Sequence, residues 1–95
     1  MGLLDRLLRK KEDERSRTAR LLSTGRIVEG RILDLASDED NSPAIIFYSY
    51  NIHGVEYESS QTLNSQQQSS IGRYAPGARV AIRYDPRQPA NSIVV

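Results

Sequence analysis

Apolar residues along this chain follow two periods in turn, the first helical and the second strand-like. Leu3, Leu4, Leu7 and Leu8 recur at the three- and four-residue spacing of one helical face, among good helix formers, which predicts a helix over residues 1–22. Continuing that face places Lys11, Glu14 and Arg15 where apolar residues belong, before Thr18, Leu21 and Leu22 restore it. The helix is therefore amphipathic, with a stripe broken in its middle. Gly25 supplies a stop signal just beyond.

From residue 25 to residue 95 the period becomes that of strands. Residues 26–35 are β-prone, but Val28 and Leu33 lie an odd number of positions apart, and Gly30 between them is a natural place for a bulge. Residues 37–43 (SDEDNSP) read as an acidic loop. Ile46, Tyr48, Tyr50 and Ile52 then alternate along one strand, and Val55 and Tyr57 along the next. A two-residue turn at His53-Gly54 sets Ile52 against Val55 and Tyr50 against Tyr57. Glu56 and Glu58 face solvent in that register, whereas Ile45 and Phe47 suit a covered surface, for which the N-terminal helix is a candidate. Residues 59–70 (SSQTLNSQQQSS) have loop composition. Tyr74-Ala75-Pro76-Gly77 carries Pro and Gly in type II turn positions. Val80, Ile82 and Tyr84 alternate along a fourth strand that Asp85-Pro86 ends, and residues 92–95 make a short fifth. The fold expected is mainly β, a small five-stranded antiparallel barrel or rolled sheet, SH3-like or OB-like, with one N-terminal amphipathic α-helix.

Ninety-five residues make a single domain, and 38% hydrophobic with 26% charged residues belongs to a folded, soluble chain. The absence of cysteine excludes disulfides, thiolate metal sites and thiol nucleophiles. The net charge of +1 hides an asymmetry: residues 1–20 carry seven Lys/Arg against four Asp/Glu, and the remainder six against eight. Basic character thus belongs to the N-terminal arm. No apolar run approaches the ~20 residues of a membrane span, and a cytoplasmic protein, peripheral at most to the inner face of the membrane, is expected. Gly2 invites comparison with a myristoylation signal, but Arg6 occupies the position that wants Ser or Thr.

Three stretches together resemble a known family: residues 25–30 (GRIVEG), the Tyr-rich hairpin closing in residues 53–57 (HGVEY), and residues 74–80 (YAPGARV) followed by residues 84–89 (YDPRQP). Over residues 25–95 the chain is similar to the bacterial domain of unknown function 3592. The resemblance implies a compact β-domain, often found beside transmembrane helices, and brings no catalytic residues with it. Ala78 departs from the acidic residue common at that position, and the flanking membrane helices are missing.

No motif points to catalysis, and neither a cofactor nor a small-molecule substrate is implied. His53 sits in the predicted turn with no second group to work with. Asp38, Asp40 and Ser42 alternate like the first ligands of a calcium loop, but Pro43 stands where such a loop needs Gly and Ser49 where it needs Glu. Asp85 before Pro86 is a turn former. Tyr48, Tyr50 and Tyr57 could stack bases, yet alternation puts them with the core. Arg79 and Arg83 project from one side of their strand with Arg73 and Arg87 flanking. That stripe is either a surface for nucleic acid or a set of partners for Glu29, Glu56 and Glu58.

The arm offers more. Burying Leu3, Leu4, Leu7 and Leu8 yields roughly 1.5–3 kcal/mol each, against roughly 1 kcal/mol for ordering each residue of the segment. Such a helix needs something to lie against. Arg6, Arg9, Lys10 and Lys11 could each add about 1 kcal/mol at an anionic membrane surface, less the opposition of Asp5. The choices are packing on the chain's own domain at Ile45 and Phe47, self-association with another copy, a membrane surface, or disorder. The expectation is a non-enzymatic interaction or accessory module with a helical contact arm for a protein partner or another copy.

Overall fold

The structure, a computed structural model, describes the backbone of residues 3–37 and 44–95 and the side chains from Glu14 onward within them. A helix α1 (Leu3–Thr24) leads into five strands, β1 (Arg26–Ala36), β2 (Ile45–Ile52), β3 (Val55–Thr62), β4 (Arg79–Asp85) and β5 (Gln88–Val94). A one-turn helix α2 (Ser65–Gln68) and a 3-10 turn (Ile71–Tyr74) join β3 to β4. The sheet order is β3-β2-β1-β4-β5, each neighbour antiparallel to the next. Its two edges, β3 and β5, curl into contact, and counting reversals along the order shows that they run in the same direction. The result is a nearly closed barrel. Of the two barrel types expected, this cyclic order, with a short helical segment between β3 and β4, is the OB-like one. Among the described residues no helix is long and apolar enough to cross a membrane.

Alternation builds the interior. β2 buries Ile46, Tyr48, Tyr50 and Ile52, and β4 buries Val80, Ile82 and Tyr84. Ile32 of β1 and Val94 of β5 join the same cluster, while Ala44, Leu63 and Tyr74 close its ends. The hairpin register is the expected one, with Ile52 opposite Val55 and Tyr50 opposite Tyr57. His53 and Gly54 both take positive φ, 51° and 85°, as a primed turn requires. The Asn51 side chain accepts from the Gly54 N–H at 3.0 Å, which holds the turn from its first strand.

Several local expectations are corrected. The bulge in β1 lies between Ile32 and Asp34, not at Gly30. Gly30 pairs regularly with Tyr50 on one side and Val80 on the other, and its role is close approach. A Cβ there would collide with Ile82 Cδ1 and with the Ser49 carbonyl oxygen. The Pro-Gly turn starts one residue later than read, at Ala75, with Ala78 N donating to Ala75 O at 2.9 Å and Gly77 at φ 88°. Residues 59–62 are strand rather than loop, because pairing with Tyr48, Phe47, Ile46 and Ile45 of β2 supplies the ladder that their composition did not suggest. β5 begins at Gln88 rather than Ser92. Val55, at the hairpin tip beyond the barrel end, is exposed. Residues 38–43, with the calcium-like Asp38, Asp40 and Ser42, lie outside the described residues.

Because a Cβ at Gly30 would meet Ile82 of β4 and the Ser49 carbonyl of β2, Gly30→Ala is expected to destabilise the domain by about 1–3 kcal/mol through overpacking. Gly72→Ala, where a Cβ meets nothing within 4 Å, should stay within about 0.5 kcal/mol of the parent. Urea unfolding midpoints of the two variants measure the contrast.

Candidate functional site

The structure seats α1 by its C-terminal end. Leu21 is 1% exposed, and the helix packs against β4 and β5. Ile82, Ser92 and Val94 point inward, so Arg83 and Ile93, which pair with each other, point to the outer face beneath the helix. Ile93 is buried there, outside the central cluster. Arg17 Nη1 donates to Asn91 Oδ1 at 2.7 Å and to Ser92 O at 3.3 Å, and Arg83 Nη1 donates to Gly25 O at 3.0 Å. At the junction Gly25 N donates to Leu21 O at 2.9 Å, and a Cβ on Gly25 would strike that same carbonyl. The expected stop residue is thus fixed by the tightness of the helix-to-strand turn. Ile45 and Phe47 are 39% and 40% exposed, so α1 does not cover them as expected.

The seam between β3 and β5 is closed by side chains. Gln61 of β3 accepts from Val94 N at 2.8 Å and donates to Val94 O at 3.1 Å, reproducing with one amide the pair of bonds a neighbouring strand would make. Gln67 Nε2 adds a second bond to Val94 O at 3.1 Å. Gln67 is positioned by a capping box with Asn64, in which the Asn64 side chain accepts from Gln67 N and Asn64 N donates to the Gln67 side chain. Between this seam, α2 and the end of α1 opens a groove of about 1060 Å³ lined mainly by polar side chains, with Arg73 and the already bonded Arg17 on its walls.

Behind the seam lies the tyrosine stack. Tyr50 stacks on Tyr48 with ring centroids 6.0 Å apart and on Tyr57 at 5.5 Å. Tyr48 Oη meets Ser92 Oγ at 2.8 Å, and Tyr50 Oη donates to Pro89 O. The Tyr48 and Tyr50 hydroxyls are spent inside the barrel, which makes these two rings core rather than an exposed base-stacking platform, and Tyr57 packs half-buried against them. Burial pushes the Tyr50 phenol above its ordinary pKa of 10.0, and the neighbouring tyrosines push weakly the same way against the lowering effect of the Ser92 hydroxyl.

The arginine stripe is only partly assembled. Arg79 and Arg83 do share the outer face of β4, but Arg79 meets Glu29 at 3.5 Å and Arg83 is committed to the Gly25 carbonyl. Arg73 sits on the 3-10 turn between α2 and β4, and Arg87 in the β4–β5 turn, where its N–H donates to Asp85 Oδ1 at 2.9 Å. Asp85 is thus a turn residue. His53 is exposed at its turn. Among the described residues no three His, Cys, Asp or Glu side chains gather to hold a metal. Leu3, Leu4, Leu7, Leu8, Arg6, Arg9, Lys10 and Lys11 belong to the N-terminal half of α1; their side chains lie outside the described residues. The groups that sequence reasoning missed are Arg17, Gln61 and Gln67. Only the last left a legible signal, the Asn64-x-x-Gln67 spacing of a capping box.

Gln61→Ala removes both bonds and strands the Val94 N–H, so it is expected to cost about 1–3 kcal/mol and to speed hydrogen exchange at Val94. Gln61→Glu keeps the acceptor and loses the donor, and should fall between. For Tyr50, a folded-state pKa above the unfolded value means that the native state holds the phenol proton more tightly. Its contribution is full below about pH 10 and is lost as pH rises through the raised pKa. Tyr50→Phe should therefore be less stable than the parent near neutrality by about 1 kcal/mol and should lose stability less steeply in alkali. Urea midpoints followed from about pH 8 to about pH 11 test this, and parallel curves for the two proteins would contradict it.

Nothing among curated proteins or solved structures matches the chain. The sequence model of one family, the Domain of unknown function (DUF3592), matches residues 23–95, beginning at the end of α1 and taking in the whole barrel. With the greater part of its length matched, the chain belongs to the DUF3592 family.

Proposed function

We propose that this protein is a non-enzymatic interaction module, in which the DUF3592 barrel is the scaffold and the N-terminal half of α1 is the contact element. The supporting observation is the position of the helix anchor. Leu21 and Arg17 fasten α1 near its C-terminal end, whereas the apolar group of residues 3–8 lies 13 to 18 residues before the buried Leu21. At about 1.5 Å per residue that is about 20–27 Å along the axis. A straight helix cannot bring both groups to the same place. The broken stripe seen in the sequence thus divides α1 into a part that serves the barrel and a part whose leucines and cations serve something else.

A second reading shares the same residues. Arg6, Arg9, Lys10 and Lys11 accompany the four leucines, the composition of a helix that lies on an anionic membrane surface. The nucleic-acid reading has less behind it, since Arg79 and Arg83 are engaged within the domain and the face carrying Glu56 and Glu58 is acidic.

Replacing Leu4 and Leu8 together by Glu in the full chain separates these roles. The expected result is a melting temperature within a few degrees of the parent, with loss of self-association or of partner capture. A melting temperature lowered by about 10 °C or more, corresponding to a loss of about 1–2 kcal/mol in a domain of this size, would show that these leucines belong to the barrel's own core. Co-sedimentation with vesicles containing anionic lipid, at low and high salt, tests the membrane reading; absence of binding at low salt removes it.

A further inference from the structure

Three large apolar side chains stand together on the outside of the barrel, on strands β1 and β2 rather than on the β4–β5 side where α1 is seated. In register, Asp34 lies opposite Phe47 and Ala36 opposite Ile45, and the bulge adds Leu33 beside Asp34. Leu33 is 47% exposed, alongside Ile45 and Phe47. The bulge is what assembles the group, because the extra residue lets Leu33 and Asp34 both face outward while Ile32 and Leu35 turn to the core. Contiguous outward apolar groups of this kind on a small soluble domain mark a contact surface.

The charges around this face have one prevailing sign. Asp34 is within it, and Glu58 and Glu56 continue the same outer surface from β3, opposite Ser49 and Asn51. Arg31, opposite Ser49 from the β1 side, is the one cation at its border among the described residues; beyond it Glu29 and Arg79 satisfy each other. The complement of such a surface is a short apolar element carrying cations. The chain itself contains that element: Leu3, Leu4, Leu7 and Leu8 on one helical face, within the stretch of residues 1–20 where Lys and Arg exceed Asp and Glu. The exposure of Leu33, Ile45 and Phe47 shows that the helix of the same chain does not occupy the face.

We infer that the N-terminal half of α1 docks on the Leu33–Ile45–Phe47 face of a second copy. Each copy gives its helix and receives its partner's, so the contact closes on itself as a two-fold dimer. This rests on the reading of the arm as the contact element and names its partner.

The absence of cysteine allows a direct test. Leu8→Cys and Ile45→Cys are made as separate single-cysteine proteins, mixed, and oxidised. The mixed disulfide can form only between copies, and it is expected to exceed that of a control pair in which Ile45→Cys is replaced by Gly54→Cys at the exposed hairpin tip. In parallel, sedimentation equilibrium of the full chain should show a dimer that Phe47→Glu weakens by about tenfold or more. It should also show that Leu4→Glu with Leu8→Glu weakens it comparably. A mixed disulfide no stronger than the control, a chain that stays monomeric, or a dimer that Phe47→Glu leaves unchanged would each overturn the inference. In the last case, loss of the dimer on replacing the leucines would keep the arm as a contact element docking elsewhere. Failure of the arm reading itself is distinct: the leucine replacements would then leave every association unchanged.

Discussion

The barrel depends on Tyr50. Its ring stacks against Tyr48 in its own strand and against Tyr57 across the hairpin, and its hydroxyl reaches over the interior to the Pro89 carbonyl at the start of β5. One side chain thus links β2, β3 and β5, strands from both ends of the sheet order. The Tyr48 hydroxyl repeats the link one step along, at Ser92. In a domain of this size the interior is small, and large aromatic rings fill it with few residues while their hydroxyls bond to backbone carbonyls of β5. The curl that brings β3 to β5 follows from these cross-barrel bonds, and Gly30 permits it by letting Ile82 and the Ser49 carbonyl close over β1.

Where the sheet stops short of closing, side chains take over. Gln61 stands in for a strand at Val94, and Gln67 reinforces it from a helix too short to pack by itself. On the outer face, α1 is held at its C-terminal end by Leu21 and by Arg17, whose bonds to Asn91 and Ser92 O place it beside the strand that the tyrosines grip from within. Ser92 joins the two systems, its hydroxyl facing Tyr48 and its carbonyl receiving both Tyr48 and Arg17. The helix end is therefore built into the barrel, although the family match covers only its last residues.

Much of this was legible in the sequence because alternation is a strong signal where one face is buried. Ile46 to Ile52 and Val80 to Tyr84 could be assigned to strands and to the core from spacing alone, and His53-Gly54 set the hairpin register. The misplaced features share a cause. Residues 59–62 look like loop because an edge strand closed by a glutamine amide needs no apolar residues of its own. Gly30 invites a bulge, but Val28, Gly30 and Ile32 alternate inward without a break and Leu33 faces outward as the next residue in line; the bulge instead turns Asp34 outward and Leu35 toward the core. Packing between the helix end and β5 depends on Arg17, a surface residue by composition. The site was less legible than the fold: the arginine stripe dissolved into Glu29 and the Gly25 carbonyl, partners that only folding brings near. The leucines and cations of the arm lie among side chains outside the described residues.

We propose that α1 has two jobs divided along its length, so that the barrel's stability is indifferent to the leucine-bearing half and dependent on the anchored half. Urea unfolding of the chain lacking residues 1–13, compared with the full chain at a concentration low enough to keep both monomeric, tests it directly. Stabilities that agree to within about 0.5 kcal/mol are expected, whereas further replacement of Leu21 by Ala lowers stability by about 2–5 kcal/mol. A loss of several kcal/mol on removing residues 1–13 alone would contradict it, since the leucines would then be part of the barrel's own core.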